Sequence, residues 1–143
     1  MLVDSLTSPV QEISPEQGWV LLSEVPGAKL VDVRTTPEWL YVGVPDVRST
    51  PGTLLQISWH VFPEMRTSEM FAEELQRAAS PDDVVIFVCR SGGRSLAAAR
   101  ASAEAGFSRS YSLRGGVEGP VDDQGHRGNV AGWKFAGLPW KQQ

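Results

Sequence analysis

Five consecutive apolar β-formers, Val84-Val85-Ile86-Phe87-Val88, run without a polar break, and after seven intervening residues Leu96-Ala97-Ala98-Ala99 begins an alanine-rich stretch. An unbroken run of this kind marks a strand covered on both faces, as in a parallel sheet, and the alanines mark a helix that packs closely. A second such strand is predicted over 28–33, ending at the polar Arg34, and a short edge strand over 10–13. Between them, Ser14-Pro15-Glu16-Gln17 supplies an N-cap, a proline at the first helical position and a glutamine three residues after the cap. These predict a helix to about Ser23, stopped by Pro26-Gly27. Thr36 is placed to cap a short helix begun by Pro37, with Arg34 reaching the Glu38 carboxylate across the turn, and residues 43–52 read as loop.

Further on, Leu55, Ile57 and Trp59 alternate with Gln56 and Ser58, the period of a half-exposed edge strand. Thr67 is placed to cap a helix carrying Phe71, Leu75 and Ala78 or Ala79 on one face. A helix from Ser95, with Ser95 as its cap, should end at Gly106, and residues 107–113 supply a fifth strand. Strands alternating with helices around a central apolar strand imply a three-layer α/β fold.

The 143 residues suit one domain, 1–143, long enough to bury a core without disulfides or metal. Residues 1–9 have no periodicity and read as a loose arm. The tail over 120–143 is rich in Gly and Pro, yet Val130, Trp133, Phe135, Leu138 and Trp140 predict that it packs back on the domain. Seventeen acidic against thirteen basic residues, a net charge of −4, argue against a nucleic-acid partner. The first twenty residues lack Lys, Arg and any long apolar run, so no signal peptide is expected, and no window suits a membrane span. A single cysteine rules out an internal disulfide and suits the cytoplasm.

That cysteine changes the picture. Cys89 stands at the carboxyl end of the predicted central strand, where open α/β sheets bind ligands. A lone cysteine is most often a small buried hydrophobe, but the glycines and arginines of Cys89-Arg90-Ser91-Gly92-Gly93-Arg94-Ser95 serve no packing purpose beside it. Gly92 and Gly93 let the backbone curl so that N–H groups point inward at the end of the following helix, and Arg90 and Arg94 add positive charge. Such a cradle favours thiolate over thiol and binds anions. Ser91 and Ser95 bring hydroxyls to the same loop. His60 and His126 have no neighbour at metal-ligand spacing, and Asp122-Asp123-Gln124-Gly125 reads as a turn rather than a calcium loop.

Four residues separate Cys89 from Arg94, one fewer than the phosphate-wrapping loops of cysteine phosphatases. The loop thus resembles the active-site cradle of the rhodanese (sulfurtransferase) family, which carries a sulfane sulfur as a cysteine persulfide. The segment Asp32-Val33-Arg34 with Glu38-Trp39, and the Gly115-Gly116 pair, resemble further motifs of that family. The resemblance implies five strands in the order 1-5-4-2-3. Two departures stand out: Val44 occupies the place of a usual histidine, and Val117 that of a usual aromatic at the rim.

What the resemblance implies is a sulfurtransferase of the thiosulfate type, with Cys89 as nucleophile and residues 90–95 as the anion-binding loop. Asp32, Arg34 and Glu38 would act behind it, more as an ion-paired staple than as catalysts. No cofactor is expected beyond the covalent persulfide, and no metal. The partners implied are a small anionic sulfur donor and an external acceptor: a thiol, cyanide or a protein. Two rival readings are a persulfide carrier without turnover and an arsenate reductase or phosphatase; the short loop argues against the latter.

Overall fold

The unbroken apolar run becomes the middle of a sheet. The computed structural model describes residues 10–61 and 66–142, so the arm expected over 1–9 lies outside the described residues. In chain order the first half comprises β1 (Gln11–Ile13), α1 (Pro15–Glu24), β2 (Lys29–Asp32), α2 (Thr36–Val42), β3 (Val44–Pro45), β4 (Thr53–Gln56) and β5 (His60–Val61). The second half comprises β6 (Arg66–Thr67), α3 (Phe71–Ala78), β7 (Val85–Val88), α4 (Gly93–Glu104), β8 (Ser110–Leu113) and β9 (Trp140–Lys141). Five of the strands form one parallel sheet in the order β1-β8-β7-β2-β4, which is the expected topology. β7 lies at its centre, with Val85–Val88 wholly buried, because an apolar strand gains most where both faces are covered.

Its side chains alternate between two cores. Ile86 and Val88 face Leu22 of α1, Leu30, Leu113 and Trp133, whereas Val85, Phe87 and Cys89 face Phe71 and Leu75 of α3 and Ala98 and Ala99 of α4. The period of two along the strand thus puts the cysteine in the α3–α4 layer. Ser14 caps α1 as its sequence predicts: its Oγ accepts from Gln17 N at 3.0 Å while Ser14 N donates to Gln17 Oε1 at 2.8 Å.

Three boundaries differ from the expectation. α2 begins at Thr36 with Thr35 outside it as N-cap, since the Thr35 N–H and hydroxyl both donate to Glu38 Oε1, at 3.1 and 3.0 Å. Thr67 caps nothing: its backbone pairs with His60 in the β5–β6 ladder, and α3 starts only at Phe71, after Ser68 Oγ accepts from Met70 N. Ser95 is no cap either, because α4 starts at Gly93 and takes in the end of the cysteine loop. Nor are residues 43–52 all loop, for Val44–Pro45 forms β3 and pairs antiparallel with β9.

The tail closes the side of the domain. Trp133 is fully buried, donates its indole N–H to Pro139 O at 2.6 Å and meets Trp19 edge-on with centroids 5.8 Å apart. Val130, Phe135 and Trp140, grouped with it by sequence as apolar tail residues, stay exposed. Among the described residues no helix is long and apolar enough to cross a membrane.

Candidate active site

Cys89 follows β7 directly, and its sulfur, with the residue only 1% exposed, sits inside a turn of backbone. Gly92 N donates to Sγ at 3.1 Å and Ser95 N at 3.3 Å, while Ser95 Oγ lies 3.4 Å away. Gly92 makes this possible at φ +125°, a conformation L side chains rarely adopt, and serves as the N-cap of α4. The sulfur therefore lies against the positive end of a twelve-residue helix, two of whose first free N–H groups converge on or beside it. Beginning the helix at Gly93 rather than Ser95 is what brings the Ser95 N–H to bear.

The Gly-Gly segment holds the loop from behind. Val117 N donates to Cys89 O at 2.8 Å, and Glu118 N and Gly119 N both donate to Arg90 O, at 3.0 and 3.1 Å. With the first two loop carbonyls tied outward, the following N–H groups are free to face the sulfur. Gly116, at φ +64°, is required here, since a Cβ would collide with the carbonyls of Cys89 and Arg90. Val117, at the place of the family's usual rim aromatic, is fully buried in the core.

The two arginines of the loop have different fates. Arg90 is exposed, as are Ser91 and Gly93. Arg94 turns sideways into a two-pronged pair with Glu38, Nη1 to Oε1 at 2.8 Å and Nη2 to Oε2 at 2.9 Å. Burial raises the Glu38 carboxyl, but the Arg94 bonds and charge together with the Thr35 donors outweigh it, lowering it from the usual 4.5 to about 2. On Arg94, the Glu38 hydrogen bonds push the guanidinium up, burial works against them, and the charges of Glu38, Cys89 and Asp32 add to the rise.

The expected Arg34–Glu38 contact is thus corrected. Arg34 instead folds back on Asp32, Nε to Oδ1 at 2.9 Å and Nη2 to Oδ2 at 2.7 Å, with both side chains fully buried. Arg34 Nη2 also donates to Gly43 O at 2.7 Å, so the pair locks the end of β2 to the end of α2. Glu38 is left for Arg94 because Thr35, not Arg34, occupies the turn beside it. Asp32 and Arg34 make no hydrogen bond to the sulfur.

Lys134 of the tail reaches the same corner. It donates to Val42 O at 3.0 Å and lies 3.7 Å over the Trp140 ring; burial pushes its ammonium down, with Glu118 opposing and Arg34 assisting. Val44, at the place of the family's histidine, is buried and paired with Lys141. Thr35 also lines a cleft of about 450 Å³ with Trp39, Ser58, His60 and Glu74, to which no residue of the cysteine loop contributes. Among the described residues no cluster of His, Cys, Asp and Glu could hold a metal, and Asp122 simply closes a turn, accepting from Gln124 N and His126 N.

One partner of Ser95 escapes a reading for motifs. Ser112 of β8 is 1% exposed, and its Oγ lies 2.9 Å from Ser95 Oγ. The signal was available in the alternation Ser110-Tyr111-Ser112, which places two serines on one buried face of a strand.

Comparison with known proteins agrees with this geometry. The profile of the rhodanese-like domain matches residues 14–122. A crystal structure of the Rv0390 protein from M. tuberculosis superposes with a TM-score of 0.87 at 41% identity, covering 95% of this chain and 100% of that one. An uncharacterised protein of Rickettsia rickettsii is 31% identical over 132 residues, 92% of this chain and 98% of its own length. The thiosulfate sulfurtransferase GlpE of Actinobacillus pleuropneumoniae serotype 3 is 30% identical over 128 residues, 90% of each chain.

Proposed function

The chain belongs to the rhodanese-like domain family, and from that premise we propose that it takes a sulfane sulfur from a small anionic donor of the thiosulfate kind onto Cys89 and passes it to an external acceptor. The observation that carries this is the convergence of Gly92 N and Ser95 N on Cys89 Sγ, at 3.1 and 3.3 Å. Donors aimed at a sulfur stabilise it as an anion, which is the nucleophilic form.

In the first displacement the Cys89 thiolate attacks the outer sulfur of thiosulfate. The new Cys–S bond forms as the donor's S–S bond breaks, and sulfite leaves with the electron pair. The resulting persulfide is held by the same cradle. A second nucleophile then attacks the outer sulfur, the persulfide S–S bond breaks, and the thiolate returns. Because Cys89 is the only cysteine of the chain, that nucleophile comes from elsewhere: cyanide in an assay, a thiol or a protein in the cell.

Arg94 is largely neutralised by Glu38, so recognition of the donor falls to the exposed Arg90, next to Cys89 in the chain, and to the backbone N–H groups. That shift from side-chain to backbone recognition suits a compact anion. The likeness to GlpE supports thiosulfate as the donor to test first. The protein is to be incubated with thiosulfate and weighed intact: a gain of one sulfur atom, absent in Cys89→Ser, followed by thiocyanate release on adding cyanide, is the expected result. No gain in mass would sink the proposal.

A further inference from the structure

Ser95 Oγ has three neighbours and one proton to give. They are Gly92 O at 3.1 Å, Ser112 Oγ at 2.9 Å and Cys89 Sγ at 3.4 Å. Gly92 O can only accept. For the Ser112 hydroxyl, Ser95 Oγ is the one hydrogen-bond partner among the described residues, and Ser112 is 1% exposed. A buried hydroxyl proton needs an acceptor, so Ser112 donates to Ser95 Oγ. The Ser95 proton then has two places to go, Gly92 O or the sulfur.

The choice follows the state of the sulfur. A neutral Cys89 thiol donates its own proton to Ser95 Oγ, and Ser95 turns its hydrogen to Gly92 O. Anionic sulfur, whether thiolate or persulfide, has only lone pairs to offer, and Ser95 turns its hydrogen to it. Ser112 acts on both arms. Its donation polarises the Ser95 O–H and strengthens its bond to an anion, and it leaves the Ser95 oxygen a poorer acceptor for the thiol proton. Both effects favour the anion.

We infer that Ser112 is a positioning residue for the Cys89 sulfur: acting through Ser95, it holds that hydroxyl as a donor toward anionic sulfur. The inference rests on the reading of Cys89 as the nucleophile but not on which sulfur donor loads it. Ser110 of the same strand provides a control, since its hydroxyl is spent on Ser102 Oγ at 2.9 Å and Phe107 O at 2.7 Å.

The test is the rate of Cys89 alkylation by iodoacetamide across pH, with the melting temperature of each variant measured alongside. Ser112→Ala is expected to slow alkylation at neutral pH about threefold to tenfold, the effect of one net hydrogen bond, and to converge with wild type at alkaline pH where every thiol is ionised. Ser112→Thr, which keeps a hydroxyl, restores the neutral rate, and Ser110→Ala leaves it unchanged whatever its melting temperature. Equal rates for Ser112→Ala and wild type at all pH, or the same slowing in Ser110→Ala, would overturn the inference. Alkylation needs no sulfur donor. A Ser112 effect in a protein that takes no sulfur from thiosulfate would therefore sustain the positioning role while removing the proposed function.

Discussion

Glu38 and Arg94 are separated by 56 residues in the chain and joined by two hydrogen bonds of 2.8 and 2.9 Å. The pair ties the first turn of α2 to the first turn of α4, so the cysteine loop is braced from the side by a carboxylate that never touches the sulfur. It also takes the charge of Arg94 out of direct contact with any incoming anion.

Replacing Glu38 by Gln removes this brace with little change in shape. The folded-state carboxyl, at about 2, lies below its unfolded value of 4.5, so the stability it contributes is present above pH 4.5 and lost as pH falls toward 2. Discounted for partial exposure, that contribution is about 1–2 kcal/mol. Urea unfolding at pH 7 should show Glu38→Gln weaker by that amount, with the gap closing as the pH is lowered through this window; an unchanged gap would contradict the assignment.

Asp32→Ala should be far more damaging. It strands the Arg34 guanidinium, fully buried, without its carboxylate, a situation that costs about 3–5 kcal/mol. Replacing both partners by apolar residues, as in Asp32→Leu with Arg34→Met, should recover a large part of that loss. A double-mutant cycle by chemical denaturation measures the difference.

Gly116→Ala forces a Cβ against the Cys89 and Arg90 carbonyls at a positive φ, whereas Gly125→Ala at φ +78° meets nothing within 4 Å. The second change should cost only the conformational strain, about 1 kcal/mol. Gly116→Ala should cost more, about 2–4 kcal/mol, and should also lower the rate of thiosulfate loading because the loop backbone has to shift. Comparing melting temperature and loading rate in the two variants separates strain from collision.

Arg90→Ala should raise the KM for thiosulfate about threefold to tenfold while leaving the melting temperature within error, since an exposed side chain contributes attraction to the donor and little to folding. The effect should shrink as salt is added. Equal KM values at low salt would move donor recognition entirely to the backbone.

Local signals were enough for much of the fold. The apolar run 84–88, the Ser14 capping box and the two-residue alternation at 55–59 each act over a few residues; the first two appear where their patterns place them, and the third as a strand shifted a little earlier, Thr53–Gln56. Register and pairing partners follow no such local rule. Nothing local marks β3, since two residues, one of them proline, carry no period; it exists only because the tail returns to lie beside it. Thr67 suits a cap by residue type, but its backbone pairs with His60 in a ladder instead.

The site divides in the same way. Cys89, its glycines and the helix behind it are contiguous, so residue types and loop length alone determined that a sulfur would be cradled by backbone N–H groups at a strand's carboxyl end. Which carboxylate takes which arginine was decided only in three dimensions. Asp32, Arg34, Glu38 and Arg94 offer several pairings of comparable chemistry, and the choice fell to the angle at which α2 leaves β2 and to the Thr35 donors that fix Glu38. Ser112 meets Ser95 for the same reason: β8 packed beneath α4 brings together residues that the chain holds apart, and although the alternation puts Ser112 on a buried face, no spacing along the sequence records which residue it meets there.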